Sequence, residues 1–254
     1  KGSLGPGDII GVNLKEGKLY ENFDLKDKLA NEHPYHEWVK KIIRIDKQIT
    51  SKKELSLFDS QNLRQRKIAA GYTMEELELI LHPMVDEAKE ATGSMGDDTP
   101  IAILSDKYRP LSHFFRQKFS QVTNPPIDSI REQSRMSLKT RFGNLRDVLD
   151  SNSYQENVFV MDSPVVTNSI FNKMLKFGKE ELVIIDCSFS TNENALKENI
   201  RRIQGEAEAA VLSGKQHIVL TDKYTDETRV SIPMILATAA VHSFLTRKGI
   251  RSFI

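Results

Sequence analysis

Short apolar runs alternate with longer amphipathic segments in the second half of the chain. These runs are rich in branched residues and end in polar ones: IAILSD (101–106), VFVMD (158–162), LVIIDC (182–187) and HIVLTD (217–222). Strands that are buried on both faces have this composition. We therefore expect four strands of one parallel sheet.

Apolar residues at helical spacing fill the segment between the last two of these runs. They are Leu196, Ile200, Ile203, Ala207 and Val211. The spacing predicts a helix that lays one apolar stripe on the sheet and ends at Gly214. A second helix is predicted to start at Ser231 to Pro233 and to close at Gly249, with RSFI (251–254) beginning another strand.

The first 90 residues have a different texture, irregular at first and then helical. A strand is predicted at Ile9 to Leu14, followed by a turn at Glu16 and Gly17. TMEE (73–76) is a capping-box sequence, so a helix should begin there and be bent or ended by Pro83.

The alternation of strands and helices predicts the α/β class. The sheet should be parallel with right-handed crossovers, either open or an incomplete (β/α) barrel, preceded by an irregular and helical N-terminal arm. Two segments dense in Gly, Pro, Asn and Asp, GSMGDDTP (93–100) and QVTNPPID (121–128), should form shaped loops of the kind that carries function.

Composition and charge limit the classes of function. The 36 Lys and Arg balance 35 Asp and Glu, so no overall field recruits nucleic acid or an anionic membrane. No apolar stretch reaches the roughly 20 residues of a membrane span, and KGSLGPGD (1–8) lacks the apolar region of a signal peptide. With Cys187 as the one cysteine, an internal disulfide is excluded and a cytoplasmic location is expected.

Several motifs resemble known sites without meeting their requirements. Gly5, Gly7 and Gly11 have the wrong spacing for a dinucleotide loop and indicate a plain turn. His33 and His36 are separated by Pro34 and fit surface or packing roles better than a metal site. Cys187, at the end of a predicted buried strand, should be an inert apolar residue.

Aspartates stand at the ends of all four predicted strands: Asp106, Asp162, Asp186 and Asp222. Carboxyl ends of parallel strands share one edge of a sheet, where carboxylates can bind a divalent metal or transfer protons. Each aspartate can equally cap the turn or helix that follows it, and this interpretation is preferred. A self-standing α/β enzyme with a divalent metal remains the alternative function.

The loop sequences resemble a known family. GSMGDDTPIAILSD (93–106) and QVTNPPIDSIRE (121–132), taken with GYTMEELELIL (71–81) and EAEAAVLSGKQHIVLTD (206–222), closely resemble the central domain of glutamate synthase large chains. KGSLGPGDIIGVNLKEGKLYEN (1–22) is similar to the segment that leaves the family's amidotransferase domain. The resemblance implies a connecting arm over residues 1–60 and a central α/β domain over residues 61–254, truncated at its C-terminus.

The family implies a function for the longer parent enzyme. Such enzymes hydrolyse glutamine, pass ammonia through an internal tunnel, and add it reductively to 2-oxoglutarate on a domain with FMN and an iron–sulfur cluster. NADPH, through a small subunit, or ferredoxin supplies the electrons. This chain resembles the connector between the two sites, so it should bind no cofactor or metal and be catalytically silent alone. Its partners are the amidotransferase and FMN-binding domains of the same parent.

The resemblance also assigns residues. The family's tunnel wall matches Met95, Thr123 and Asn124 here, in loops shaped by Gly93, Gly96, Asp97, Asp98, Pro125 and Pro126. A flexible, apolar methionine beside a few polar groups suits the passage of neutral ammonia. Alternatively, Met95 fills core, and Thr123 with Asn124 forms a turn before Pro125.

Overall fold

A computed structural model describes residues 2–45, 60–87, 102–106, 109–115, 127–143, 149, 158–192 and 194–254. Its strands are β1 (Gly11–Asn13), β2 (Lys18–Tyr20), β3 (Ile43–Arg44), β4 (Thr140–Phe142), β5 (Phe159–Met161), β6 (Leu182–Asp186), β7 (Ser188–Ser190), β8 (His217–Thr221) and β9 (Arg229–Ser231).

Helices separate most of these strands. The α-helices are α1 (Asn22–Ala30), α2 (Tyr35–Lys40), α3 (Ser60–Ala69), α4 (Met74–Glu76), α5 (His82–Glu87), α6 (Ser129–Arg135), α7 (Asn168–Phe177), α8 (Ala195–Leu212) and α9 (Met234–Arg247). A π-helical segment covers Leu77–Leu81, and 3₁₀ turns cover Leu111–Phe114 and Arg251–Phe253. Among the described residues, no helix is long and apolar enough to cross a membrane.

The C-terminal third is an α/β unit built on one parallel strand pair. Strand β6 pairs with β8 from Leu182 opposite His217 to Asp186 opposite Thr221. The crossover between the two strands contains α8, whose apolar stripe was predicted from the sequence. These two strands and both predicted helices are therefore confirmed.

The largest buried cluster of the described residues lies between this strand pair and helices α8 and α9. Ile203 and Ala207 of α8 are fully buried with Ile185 of β6 and Leu245 of α9 at 1% exposure each. Burying an isoleucine or leucine side chain contributes about 1.5–3 kcal/mol relative to leaving it exposed. The unit thus has a core of its own, which fixes the positions of its strand ends.

A second, mixed sheet has β5 at its centre. Strand β3 pairs with β5 in parallel, and β4 pairs with β5 antiparallel. The backbone N–H of Ile43 donates to the carbonyl of Val158 at 3.0 Å, just before β5. The end of the N-terminal arm therefore contributes a strand to a sheet built from later parts of the chain.

The α/β class is confirmed, while the expected single sheet is not observed. Only two of the four predicted strands pair with each other; VFVMD (158–162) forms a strand in the mixed sheet. A further antiparallel pair, β7 with β9, continues from the end of β6. The described residues form small separate sheets and no closed barrel.

Two strand predictions are wrong. Residues 102–106 of IAILSD form a turn in which Ser105 N donates to Ala102 O at 3.1 Å, and Ile103 and Leu104 are 91% and 98% exposed. An apolar run becomes a strand only where a neighbouring strand takes its hydrogen bonds. RSFI (251–254) forms a 3₁₀ turn after Gly249, whose φ of 72° reverses the chain at the end of α9.

The capping box at TMEE is confirmed. Thr73 accepts from the backbone N–H of Glu76, and the Glu76 carboxylate accepts from Thr73 N at 2.7 Å. The helix does not end at Pro83. The π-helical turn at Leu77–Leu81 precedes it, with His82 N donating to Leu77 O, and α5 runs on to Glu87. The widened turn accommodates the backbone near a proline that has no N–H to donate.

Candidate functional site

The best-defined polar site among the described residues lies at the carboxyl end of β6. Asp186 ends the strand, Cys187 follows, and Ser188 begins β7. Ligands of open α/β sheets bind outside the carboxyl ends of parallel strands, so this position is where chemistry is expected.

The carboxylate of Asp186 is bonded at both oxygens. Its Oδ1 accepts from the backbone N–H of Ser188 at 2.8 Å and from the Ser188 hydroxyl at 2.7 Å. Its Oδ2 accepts from Arg229 Nη2 at 2.8 Å. This is the side-chain cap of the following turn that the sequence favoured, with an arginine added from β9.

Two arginines extend the arrangement to neighbouring elements. Arg229 Nη2 also donates to the Ser188 carbonyl at 3.0 Å, and Arg202 Nη2 of α8 donates to the Asp186 carbonyl at 2.7 Å. We call these four residues, Asp186, Ser188, Arg202 and Arg229, the Asp186 network. It ties the corner between β6 and β7 to β9 and α8.

The pKa of Asp186 lies below its ordinary value. Burial alone would raise the pKa, but hydrogen bonds from Ser188 and Arg229, and the charge of Arg229, outweigh it. The carboxylate is therefore ionised near neutral pH, and both of its oxygens accept hydrogen bonds. A carboxylate whose pKa is lowered in this way is a poor proton acceptor near neutral pH.

Cys187 is fully buried, and its environment makes it unreactive. Burial raises the pKa of the thiol, and Sγ contacts the Ile185 carbonyl at 3.8 Å. Because the thiolate is the nucleophile, a raised pKa in an apolar site gives an inert cysteine. The interpretation of Cys187 as a small apolar residue is confirmed.

The other strand-end aspartates have separate surroundings. Asp162 follows β5 and pairs with Arg44 at 3.1 Å and Lys139 at 3.9 Å, whereas Asp106 follows a turn and no strand. Asp222 uses its backbone carbonyl to accept from the Thr225 hydroxyl at 2.7 Å. Within the described segments, no group of three or more His, Cys, Asp or Glu could hold a metal.

The remaining sequence motifs have structural roles. His33 stacks on Trp38 with ring centroids 5.4 Å apart and touches the edge of Tyr35 at 5.6 Å. Gly5 and Asp8 close a turn in which Asp8 N donates to Gly5 O at 3.1 Å. His33 therefore packs against two aromatic rings, and Gly5 lies in a plain turn.

The residues assigned by resemblance lie outside the described residues. They are the tunnel residues Met95, Thr123 and Asn124 and the loop-shaping residues Gly93, Gly96, Asp97, Asp98, Pro125 and Pro126. Their assignment therefore stays a prediction.

Sequence reasoning found Asp186 but missed its partners. Arg229 is distant along the chain and joins through the antiparallel pairing of β7 with β9, which no hydrophobic pattern indicated. Arg202 lies on the predicted helix one residue before the buried Ile203, which places it at the border of the apolar stripe. That border position was the one feature of the sequence that could have indicated a contact between Arg202 and the sheet.

Two family models match the chain. The model of the glutamate synthase central domain matches residues 65–254, and the model of class-II glutamine amidotransferases matches residues 1–38. The two matches are separated by a short segment that includes β3.

Curated relatives align over the whole chain. The large chain of the NADPH glutamate synthase of Azospirillum brasilense is 50% identical over 258 residues, which cover 100% of this chain and 17% of the relative. Ferredoxin-dependent glutamate synthase 2 of Synechocystis is 37% identical, and the NADPH glutamate synthase large chain of Bacillus subtilis is 34% identical; each alignment covers 99% of this chain and 16% of the relative. The chain thus spans about one sixth of the length of these relatives.

Proposed function

The chain belongs to the glutamate synthase central domain family, and from that premise we propose that it joins the amidotransferase and synthase parts of a longer glutamate synthase chain. The observation that carries the proposal is the succession of the two family matches, residues 1–38 and residues 65–254, within one chain. Strand β3 lies between the matches and pairs with β5 of the second. A segment that leaves one domain and adds a strand to the next is suited to hold the two in a fixed relation.

We assign residues 1–60 to the connecting arm and residues 61–254 to the central α/β domain. The parent would form glutamate from glutamine and 2-oxoglutarate in the cytoplasm, with electrons from NADPH or from ferredoxin. Relatives of both kinds align over nearly the whole of this chain, at 50% identity for an NADPH enzyme and 37% for a ferredoxin-dependent one, so the alignments alone do not select the donor.

FMN and the iron–sulfur cluster of the parent would be held by other domains. An iron–sulfur cluster needs several cysteine thiolates, and this chain has Cys187 alone, fully buried and with a raised pKa. The residues present do not fit such a cluster. We therefore propose that this part of the enzyme is catalytically silent. Its role would be to connect the amidotransferase and synthase parts and to line the ammonia tunnel between them.

The lining role rests on the loops at 93–100 and 121–128. Met95 would supply a flexible apolar wall, and Thr123 with Asn124 a few groups that hydrogen-bond ammonia in transit. A wall that excludes water also limits protonation to ammonium, which is no nucleophile. Gly93, Gly96, Asp97, Asp98, Pro125 and Pro126 would fix the shapes of these two loops.

The test is a pair of substitutions at Thr123 in the full-length parent. Thr123→Val keeps the approximate volume and removes the hydroxyl, so ammonia should escape and glutaminase turnover should exceed glutamate formation. Thr123→Trp should block transfer. Thr246→Val is the matched control, because Thr246 is exposed on α9 and its hydroxyl donates to the His242 carbonyl of its own helix at 2.8 Å. One-to-one coupling at unchanged rates in both Thr123 variants would reduce Thr123 to a turn residue.

A further inference from the structure

Residues 2–38 form a folded segment with almost no core. Of these residues, all described, Tyr20 alone is buried, at 8% exposure. The segment consists of the β1–β2 hairpin and helices α1 and α2, and neither helix contains a buried residue. A two-stranded hairpin is marginally stable by itself and needs further strands or a packed helix.

The two faces of the hairpin differ in what covers them. Gly11 lies opposite Tyr20, and a Cβ at Gly11 would meet Leu25 of α1 at 2.8 Å, so this face carries α1. Val12 lies opposite Leu19, and alternation places this pair on the other face. Val12 and Leu19 are 60% and 57% exposed.

Flanking residues enlarge this uncovered apolar surface. Ile10 and Leu14 stand two residues either side of Val12 and are 54% and 89% exposed. We call Ile10, Val12, Leu14 and Leu19 the outer hairpin face. Val12 and Leu14 also line the edge of an open groove of about 830 Å³ between the hairpin and α1, which includes Leu29, itself 49% exposed. Exposed apolar residues grouped in this way mark surfaces that pack against another part of a protein.

We infer that the outer hairpin face is packed against the amidotransferase part of the parent chain and completes that domain's core. The inference rests on the proposed function. The occupant is indicated by the family match, because the class-II amidotransferase model covers residues 1–38, the same residues that lack a core. The relative from Azospirillum brasilense is about six times as long as this chain, which leaves room for the rest of that domain. Within the connecting arm of residues 1–60, the hairpin would thus be the part that packs against the amidotransferase domain, and the link to the central domain would run from α2 to β3.

Hydrogen exchange in the full-length parent and in the 254-residue chain tests this inference. In the parent, amides of residues 10–20 should exchange at least a hundredfold more slowly than in the shorter chain, because packing of the outer hairpin face stabilises the ladder. Equal exchange in both proteins would overturn the inference. So would slow exchange in the shorter chain that increases with its concentration, since a second copy would then cover the face.

A pair of neighbouring substitutions makes the test specific to the face. Val12→Asp places a charge on the outer hairpin face and should speed exchange of residues 10–20 in the parent at least tenfold. Asn13→Asp adds the same charge on the other face and keeps the Oδ1 acceptor that bonds Lys15 N at 3.0 Å and Glu16 N at 3.3 Å. It should change exchange less than twofold. Equal effects of the two substitutions would overturn the inference.

Failure of the inference can be told apart from failure of the proposed function. A reading frame without amidotransferase sequence before this chain would overturn both. With that sequence present, the exchange measurements concern packing alone and do not depend on ammonia transfer. Normal coupling in the Thr123 variants together with a protected hairpin would remove the tunnel role and support the packing.

Discussion

Arg229 Nη2 lies 2.8 Å from Asp186 Oδ2 and joins strands β9 and β6, 43 residues apart along the chain. The same nitrogen is 3.0 Å from the Ser188 carbonyl, so one guanidinium holds both sides of the corner between β6 and β7. The Asp186 side chain is 29% exposed and that of Arg229 36% exposed, which shields the pair only in part from water. Its contribution to stability should therefore be intermediate between a surface and a buried ion pair.

Replacing Asp186 with Asn should destabilise the chain by about 2 kcal/mol, because the bond from a charged guanidinium is lost while the Ser188 bonds can persist. Urea unfolding followed by circular dichroism measures the loss. Asp222→Asn is the control, since Asp222 is an exposed strand-end aspartate and its bond with Thr225 uses the backbone carbonyl, which the substitution leaves in place. Equal midpoints for the two variants would contradict a stabilising role for the Asp186 network.

The carboxylate of Asp186 should also make the stability of the folded chain depend on pH in the acidic range. The pKa of Asp186 is lower in the folded chain than its ordinary value of 3.8, so the ionised form favours folding. The difference in unfolding free energy between the wild type and Asp186→Asn should be constant above about pH 5 and should shrink as the pH falls through the folded pKa. Urea midpoints of both proteins from pH 7 to pH 3 measure it. A difference that grows in acid would show that the assigned sign is wrong.

Part of this arrangement was readable from the sequence and part was not. The α8 stripe and the runs that form β6 and β8 have the periodicities that burial imposes, and these elements were predicted. Whether a short apolar run finds a partner strand depends on distant residues, which is why IAILSD was misread at Ala102 to Asp106. The position of Arg229 beside Asp186 likewise requires the β7–β9 register, which a single sequence does not reveal.

His217 should make the chain less stable in mild acid. Burial lowers the pKa of this imidazole below its ordinary 6.5, although the charge of Glu181 partly opposes the shift. The unfolded chain then takes up the proton first, so stability is lost as the pH falls below about 6.5 towards the folded pKa. His217 packs against Phe159 with ring centroids 5.1 Å apart, and within the described residues its Nε2 has no hydrogen-bond partner.

The measurement compares His217→Phe with the wild type. Between pH 7.5 and pH 5.5 the urea midpoint of the wild type should fall further than that of the variant, which cannot titrate there. His36→Gln removes an exposed histidine of α2 and should follow the wild type. Parallel pH profiles for the wild type and His217→Phe would show that His217 does not govern this loss.

The reactivity of Cys187 tests whether the chain carries a nucleophilic thiol, which a silent connector does not need. It is fully buried, its pKa is raised, and its backbone is fixed on both sides, since Cys187 N donates to Thr221 O at 2.8 Å and its carbonyl accepts from Ile232 N at 2.9 Å. In the folded state a reagent cannot reach the buried sulfur, and only a small fraction of the thiol is ionised to the reactive thiolate. Ellman's reagent should label the native chain at least a hundredfold more slowly than the chain in urea, where burial is removed.

The same preparation should release no glutamate from glutamine and should stay colourless after incubation with FMN. Labelling is the sharper measurement, because it reports on the cysteine even if the purified chain has lost a partner domain. Rapid labelling of the native chain, together with glutaminase activity that Cys187→Ser abolishes, would make Cys187 a nucleophile and would reject the connector. Slow labelling with no activity would support a chain that carries no nucleophilic thiol, as the proposed connector requires.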